Sequence, residues 1–313
     1  MTSTRCDAAV LRARSADAVL LDRLGTPGAD GRVDTVFRHV INVLTSDGQL
    51  IALASRSNGD APWTLVVDVE DWSGSAVEAG QVVRFGAGSI LLPAPAGDLR
   101  IDTRVARRWN PIPVSLGHLG DDHLAVASRA LGHLLRSHGV PGGMLAGPPD
   151  APPMDAAVGR ALAAGRDAFV HAVRLQDDEG TRRAVLGLLG LGPGLTPAGD
   201  DFLTGPALLS ALTGTRLRPF ARTLAAVLGD RPGRTTLLSL TTLREALAGR
   251  VRDPWPAVLH ALAATAGRGE AQVTETLRNP VRRALAIGHT SGTDTLSGLL
   301  TGLHLERELR GSL

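Results

Sequence analysis

Residues 190–205 read GLGPGLTPAGDDFLTG and join two apolar segments. Four glycines and two prolines fall within residues 190–199. Because glycine costs backbone entropy and proline lacks an N–H donor, this composition predicts a loop instead of regular helix or central strand. Residues 203–212 then have the apolar spacing of a helix. We predict a loop with unusual dihedral angles that ends at a helix N-terminus, with Asp200 and Asp201 at the N-cap or in the first turn.

Two interpretations of this loop remain open. In the first, the glycines expose backbone N–H groups to an anion at the helix N-terminus, and the aspartates orient a substrate or bind Mg²⁺. The loop residues assigned to anion binding are Gly192, Gly194, Thr196 and Gly199. In the second, the aspartates only cap the helix, an effect worth about 0.5–2 kcal/mol. A cap needs one aspartate, so the adjacent pair favours a ligand site.

The string also resembles the signature of a bacterial family whose best-known member is a subunit of the heteromeric oxamate carbamoyltransferase of anaerobic allantoin breakdown. Residues 234–236 (RTT) and 288–294 (GHTSGTD) agree with that family, as does an N-terminal part around residues 36–68. The resemblance implies carbamoyl transfer between an oxalurate-like carboxylate and phosphate. It implies carbamoyl phosphate, oxalurate or oxamate as small anionic ligands, and partner subunits in an oligomer. It does not say which subunit performs the chemistry.

An internal repeat accompanies the signature. Residues 198–205 and 291–298 share the pattern small–Gly–x–Asp–x–Leu–hydroxyl–Gly, offset by the 93 residues that separate Asp201 from Asp294. The repeat predicts two helix N-termini that face one pocket, where both aspartates converge. Two such carboxylates would repel each other unless a cation or an arginine lay between them. Helix packing is the alternative explanation for the shared glycines, and chance is another.

The candidate site residues combine these motifs. The candidate catalytic residues are Asp200, Asp201, His289 and Asp294, of which Asp200 and Asp201 are also the candidate Mg²⁺ ligands. Beyond the loop, the candidate substrate- or anion-binding residues are Arg234, Thr235, Thr236, Thr290, Ser291 and, in the N-terminal part, Asn42. Arginine offers a bidentate fork to a carboxylate or phosphate, and hydroxyls at a helix start add donors.

Composition excludes several classes of protein. The chain has no lysine, so all 33 basic residues are arginine, which removes a P-loop lysine and a pyridoxal phosphate Schiff base. Cys6 is the only cysteine, so we expect no Fe–S cluster and no structural zinc site. The net charge of +2 gives no electrostatic case for nucleic acid. With no apolar run that suits a signal peptide or a membrane span, we expect a cytoplasmic protein.

The spacing of apolar residues predicts an α+β protein. Residues 1–115 form a β-rich domain, a small barrel or sandwich after a short lead-in that contains an amphipathic piece at residues 16–24. Its candidate strands are residues 35–44, 50–54, 64–68, 81–85, 89–92 and 99–101. Residues 116–313 form a helical domain that carries the glycine-rich loop. Its candidate helices are residues 121–138, 155–174, 180–189, 201–212, 219–228, 235–248, 254–266, 270–286 and 293–309.

Three functions remain open at this point. The first is a carbamoyltransferase or a subunit of one. The second is an Mg²⁺-dependent phosphotransferase that binds a nucleotide or sugar phosphate in the same loop. The third is a non-catalytic binding or scaffolding subunit of a multi-subunit transferase. Thermal stabilisation by ATP would favour the second function, and stabilisation by carbamoyl phosphate or oxamate the first.

Overall fold

The computed structural model describes residues 9–24, 30–93, 97–111, 114–115 and 119–311. The chain divides into two compact units, Met1–Pro111 and Ile112–Leu313. The first unit contains the short helix α1 (Ala18–Leu24) and the strands β1 (Ala9–Asp17), β2 (Asp30–Val36), β3 (Val40–Thr45), β4 (Leu50–Ala54), β5 (Thr64–Val67), β6 (Val82–Gly86), β7 (Ser89–Leu92), β8 (Leu99–Asp102) and β9 (Arg107–Trp109).

The strands of the first unit close into a barrel through β1. The order β5-β4-β3-β2-β6-β7-β8-β1 is completed when β1 pairs with β5. Residues 9–12 of β1 lie parallel to β8, residues 13–16 lie antiparallel to β5, and residues 15–17 pair with β9. The apolar interior includes Ile41, Val43, Leu53, Leu65 and Ile101. The predicted α+β fold is therefore confirmed, and of the two predicted forms of its β-rich part, a small barrel or a sandwich, the structure has the barrel.

Two local predictions in this unit are wrong. The predicted strand 35–44 is two strands, because the chain reverses between Val36 and Val40, where the Phe37 N–H donates to the Val40 carbonyl at 2.8 Å. No glycine or proline marks this turn. The expected N-terminal lead-in holds a strand, β1, before the helix α1. Residues 1–8, with Cys6, and residues 25–29 of that lead-in lie outside the described residues.

The regular elements in the described part of the second unit are helices, apart from one isolated β-bridge between Ser115 and Thr213. Every predicted helical segment forms, and its bounds agree to within three residues. The helices are α2 (Asp121–His138), α3 (Pro153–Arg174), α4 (Asp178–Leu188), α5 (Ala198–Ser210), α6 (Arg218–Asp230), α7 (Leu237–Leu247), α8 (Trp255–Ala264), α9 (Glu270–Leu285) and α10 (Ser291–Gly311), with a 3₁₀ turn at Pro232–Arg234. No helix of the described residues combines the length and apolarity that a bilayer span requires.

Helices α5 and α10 cross at backbone contact, and glycines make the crossing possible. A Cβ on Gly205 would lie 2.7 Å from the Thr295 carbonyl oxygen, and a Cβ on Gly298 would lie 2.8 Å from the Phe202 carbonyl carbon. Phe202 and Thr295 are equivalent under the 93-residue offset, as are the two glycines. The contact is therefore reciprocal, as about a local two-fold axis, and helix packing accounts for these shared glycines.

The other shared glycine pair packs each helix start against the helix that precedes it. A Cβ on Gly199 would lie 2.9 Å from the carbonyl carbon of Leu188, the last residue of α4. A Cβ on Gly292 would lie 2.8 Å from the Cα of Leu285, the last residue of α9. The α4–α5 and α9–α10 hairpins are thus built alike, and their second helices begin on the same side of the crossing.

Candidate functional site

The glycine-rich loop connects α4 to α5 and has the unusual dihedral angles that its sequence predicts. Gly190, Gly192 and Gly194 have φ angles of 76°, 120° and 94°, a region that disfavours other residues. At Gly190 a side chain would also collide with the backbone carbonyl of Arg234. The loop therefore needs glycine for its own conformation and for its contact with the segment before α7.

Most amides in the first turn of α5 are already engaged. The Gly199 N–H donates to the Leu191 carbonyl at 2.9 Å, and the N–H groups of Asp200 and Asp201 donate to the Pro197 carbonyl at 2.9 and 3.1 Å. The amides of the preceding loop differ, because those of residues 192, 194, 195 and 196 donate to no described residue. Of the predicted anion-binding amides, those in the exposed loop are thus the ones available to a ligand.

Asp200 fastens the loop to the start of α7. One carboxylate oxygen accepts the Gly190 N–H at 2.8 Å, and the other accepts the hydroxyl of Thr235. Burial raises the pKa of Asp200, while hydrogen bonds from Thr235, Gly190 and Ser239 oppose that rise. Thr236 completes the connection: its hydroxyl donates to the Leu195 carbonyl at 2.7 Å and caps α7. These contacts hold the loop in place and leave Asp200 without a free oxygen.

Asp201 lies beneath two hydroxyl groups. Thr196 Oγ1 and Ser291 Oγ are 3.0 Å apart and form a hydrogen bond with each other, and both hydroxyls lie close enough to the Asp201 carboxyl to lower its pKa. The side chain is buried, and its Oδ2 has no hydrogen-bond partner among the described residues. Burial raises the pKa of Asp201 well above its ordinary value, the charges of Asp294 and Asp200 raise it further, and the two hydroxyls oppose that rise.

Asp294 is the equivalent carboxylate at the start of α10. It is fully buried, and its Oδ1 accepts the Met144 N–H at 2.6 Å, while its Oδ2 has no partner in the described part of the chain. Burial raises its pKa to about 6, against hydrogen bonds from Met144 and Thr290. The charge of Asp294 acts on Asp201, and no basic side chain among the described residues forms an ion pair with either carboxylate.

The segment at residues 140–144, after α2, lies against Asp294, and the sequence gives little sign of this role. The Val140 N–H donates to Thr293 Oγ1 at 2.9 Å, beside the Met144 contact. At Gly143 a Cβ would lie 2.5 Å from Asp294 Oδ2. The Gly142-Gly143 pair is the one local signal of so close an approach.

The remaining predicted residues lie at the margin of this arrangement or away from it. His289 is exposed and forms no hydrogen bond with a described residue. Arg234 is exposed, and its guanidinium donates to the Leu186 carbonyl at 3.2 Å. Asn42 belongs to the first unit, where its side-chain amide donates to Thr35 Oγ1 at 2.9 Å.

The predicted Mg²⁺ ligands Asp200 and Asp201 face different groups, since Asp200 bonds to Gly190 and Thr235 whereas Asp201 lies beside the hydroxyls of Thr196 and Ser291. In the described part of the chain, no three histidine, cysteine or acidic side chains lie close enough together to hold a metal ion. Any cation at this site would therefore need oxygen ligands from hydroxyls or substrate as well.

Comparison with known families assigns the chain to a class of protein. A model described as oxamate carbamoyltransferase subunit AllH matches residues 188–303, the range that holds the loop and both helix starts. A model of the AllH family N-terminal domain matches residues 12–108, which include strands β2 to β8 and most of β1. The chain is thus a carbamoyltransferase-related subunit, and it belongs to the AllH family. No solved structure matches it significantly.

Proposed function

We propose that this chain is a catalytic subunit that moves a carbamoyl group between a ureide or amide carboxylate, such as oxalurate, and phosphate. The reaction takes place where α5 and α10 begin. The observation that carries this proposal is the pair of hydroxyls, Thr196 and Ser291, held 3.0 Å apart above a buried carboxylate, Asp201. Family membership supplies the reaction class, and this arrangement supplies groups suited to it.

The groups match what carbamoyl transfer requires. A carbamoyl carbonyl becomes negatively charged as its tetrahedral intermediate forms, and, because the Thr196–Ser291 hydrogen bond uses only one of the two O–H groups, the other can donate to that oxygen. The carbamoyl nitrogen carries two N–H donors, which a carboxyl oxygen can accept. The carboxylate or phosphate of the reactants needs donors too. The backbone N–H groups of residues 192, 194, 195 and 196 are suited to that task, and Arg234 lies beside the same loop.

The test is phosphate-dependent release of oxamate from oxalurate, measured for the purified chain alone and with its partner subunits. Thr196→Val and Ser291→Ala each remove one hydroxyl, and each should lower kcat/KM by about 10²-fold, the loss typical of one donor to a developing oxyanion. Thr276→Val is the matched control, because its hydroxyl bonds only to its own helix on the exposed side of α9.

Two outcomes would contradict the proposal. One is full activity in both hydroxyl variants, because the hydroxyl pair would then be dispensable. The other is a complex whose activity is unaffected by any change at this site, which would make the chain a binding or scaffolding subunit. Thermal stabilisation by ATP, with none by carbamoyl phosphate or oxamate, would point instead to phosphoryl transfer.

A further inference from the structure

The sequence predicts that Thr236 binds an anion, but its hydroxyl is already engaged within the protein. A hydroxyl has one O–H donor and two acceptor lone pairs. The Thr236 O–H donates to the Leu195 carbonyl at 2.7 Å, and the same oxygen accepts the Ser239 N–H at 3.1 Å as the N-cap of α7. No donor is left for a bound anion. Capping requires only an acceptor, so the donation to Leu195 is a separate contact with a separate effect.

The bond from Thr236 orients one peptide group of the glycine-rich loop. The Leu195 carbonyl belongs to the same peptide unit as the Thr196 N–H, and in this planar trans peptide the two groups point in opposite directions. Because the carbonyl points to Thr236 at the start of α7, the Thr196 N–H points away from α7. That N–H donates to no described residue. A hydrogen bond at the carbonyl also polarises the peptide group, so the N–H becomes a stronger donor.

The loop around this peptide group is open to a ligand. Leu195 is 53% exposed, and apart from its chain neighbours no atom of the described residues lies within 4 Å of a Cβ added to Gly194. Thr196 is half-buried, and its Oγ1 lies 3.0 Å from Ser291 Oγ at the start of α10. The peptide group that Thr236 orients thus carries one residue of the hydroxyl pair, next to the open part of the loop.

We propose that Thr236 is a positioning residue for the carbamoyl transfer: it holds the Leu195–Thr196 peptide group so that the Thr196 N–H donates to the carboxylate or phosphate of a bound reactant. This inference rests on the proposed function. Thr236 does not touch the reactant, because its one O–H is bonded to Leu195. The group that the N–H binds is charged before and during the reaction, so this bond stabilises the bound reactant and the transition state alike. Its loss raises KM and leaves kcat nearly unchanged.

Steady-state kinetics of Thr236→Val, measured in the complex that performs the reaction, test this role. Valine has the shape of threonine without the hydroxyl. The KM for phosphate or for oxalurate should rise by about 10- to 100-fold, the effect of one hydrogen bond to a charged group, with kcat nearly unchanged. The reactant whose KM rises identifies the anion that the N–H binds. Thr236→Ser keeps the O–H and should restore KM. Unchanged KM values, a loss in kcat alone, or a serine variant no better than the valine variant would overturn the assignment.

Thr236→Val also removes the cap of α7, so its control must lose a cap elsewhere. Asp177→Ala removes the N-cap of α4, where the aspartate accepts the Gly180 N–H at 2.9 Å at the end of the helix away from the loop. This control should lower the melting temperature, as Thr236→Val does, and leave both KM values unchanged. An equal rise in KM in the control would show an effect of stability alone and would overturn the positioning role.

A titration of the native chain does not depend on activity. Inorganic phosphate or oxamate, added to the chain labelled with nitrogen-15, should shift the amide resonance of Thr196 in the nuclear magnetic resonance spectrum, and Thr236→Val should weaken this response. No shift in the native chain would overturn the assignment even if the variant does not fold, and so would an equal response in a folded variant. If Thr196 responds but the native complex transfers no carbamoyl group, the proposed function fails, while the role of Thr236 in anion binding stands. If the complex is active and Thr196 does not respond, this inference alone fails.

Discussion

One methyl group at the crossing of α5 and α10 should separate the two helices. In Gly298→Ala the new Cβ would lie 2.8 Å from the Phe202 carbonyl carbon and closer still to its oxygen. In Gly205→Ala it would lie 2.7 Å from the Thr295 carbonyl oxygen and against the backbone nitrogen of Leu299. The obstacle is backbone in both variants and cannot rotate away, so the helices themselves must move.

The expected cost follows from two opposing effects. Overpacking typically costs about 1–3 kcal/mol, and a backbone clash belongs at the upper end of that range. Alanine in place of a helical glycine stabilises the helix by about 1 kcal/mol. Each single variant should therefore lower the free energy of unfolding by about 2 kcal/mol. Once the helices have moved apart to accommodate one methyl group, the second methyl group no longer meets a backbone clash. The double variant should then cost about 1 kcal/mol less than the sum of the singles.

Urea denaturation followed by far-ultraviolet circular dichroism measures these differences through the transition midpoint. Gly187→Ala in α4 is the matched control, because no atom lies within 4 Å of its added Cβ, and it should gain about 1 kcal/mol. The reasoning is refuted if Gly298→Ala matches this control. If the losses in free energy of unfolding of the two variants simply add in the double variant, the two methyl groups do not share one movement of the helices.

Two further predictions concern the buried acids. Burial raises the pKa of Asp294 from 3.8 to about 6, so folding favours its protonated form. The free energy of unfolding should therefore fall by up to about 3 kcal/mol as the pH rises from about 4 past 6. Asp294→Asn should remove this loss, and urea titrations of both chains across that pH range measure it. Thr235→Val leaves Asp200 without its hydroxyl partner and should cost about 1–3 kcal/mol; a melting temperature equal to that of the exposed control Thr276→Val would contradict the fastening role.

The sequence predicts the α4–α5 loop and both helix starts because their signals are local. Glycine and proline spacing identifies the loop, and apolar periodicity identifies the helices. The strand β1 was missed for a physical reason. The small residues Ala13 and Ser15 face inward and alternate with the exposed Arg12 and Arg14, so the apolar alternation of β1 is weak. What defines β1 is its pairing with β5, β8 and β9, which no local pattern records.

Side-chain direction is the second limit on prediction from sequence. Asp200 and Asp201 are adjacent in the chain, which suggested a shared cation. Successive residues on an α-helix point about 100° apart, so one reaches the start of α7 and the other the start of α10. Likewise the contact of Met144 with Asp294 joins residues 150 positions apart. Tertiary packing decides which loop covers a helix start. The Gly142-Gly143 pair is the one local sequence signal of this contact.

Some of the residues shared by the 93-residue repeat are required by the fold, and others are not. Its glycines are explained by backbone contacts at Gly205, Gly298 and the two helix starts. Asp294 is explained in part, because it accepts the Met144 N–H, but Asp201 is not, since no backbone N–H donates to it and the N-cap of α5 is Pro197. A buried acid without a counter-ion lowers stability, and an apolar residue of similar size would avoid that cost. The fold can thus be built without an acid at position 201, so the reason for the acid is best sought in the molecule that binds above it.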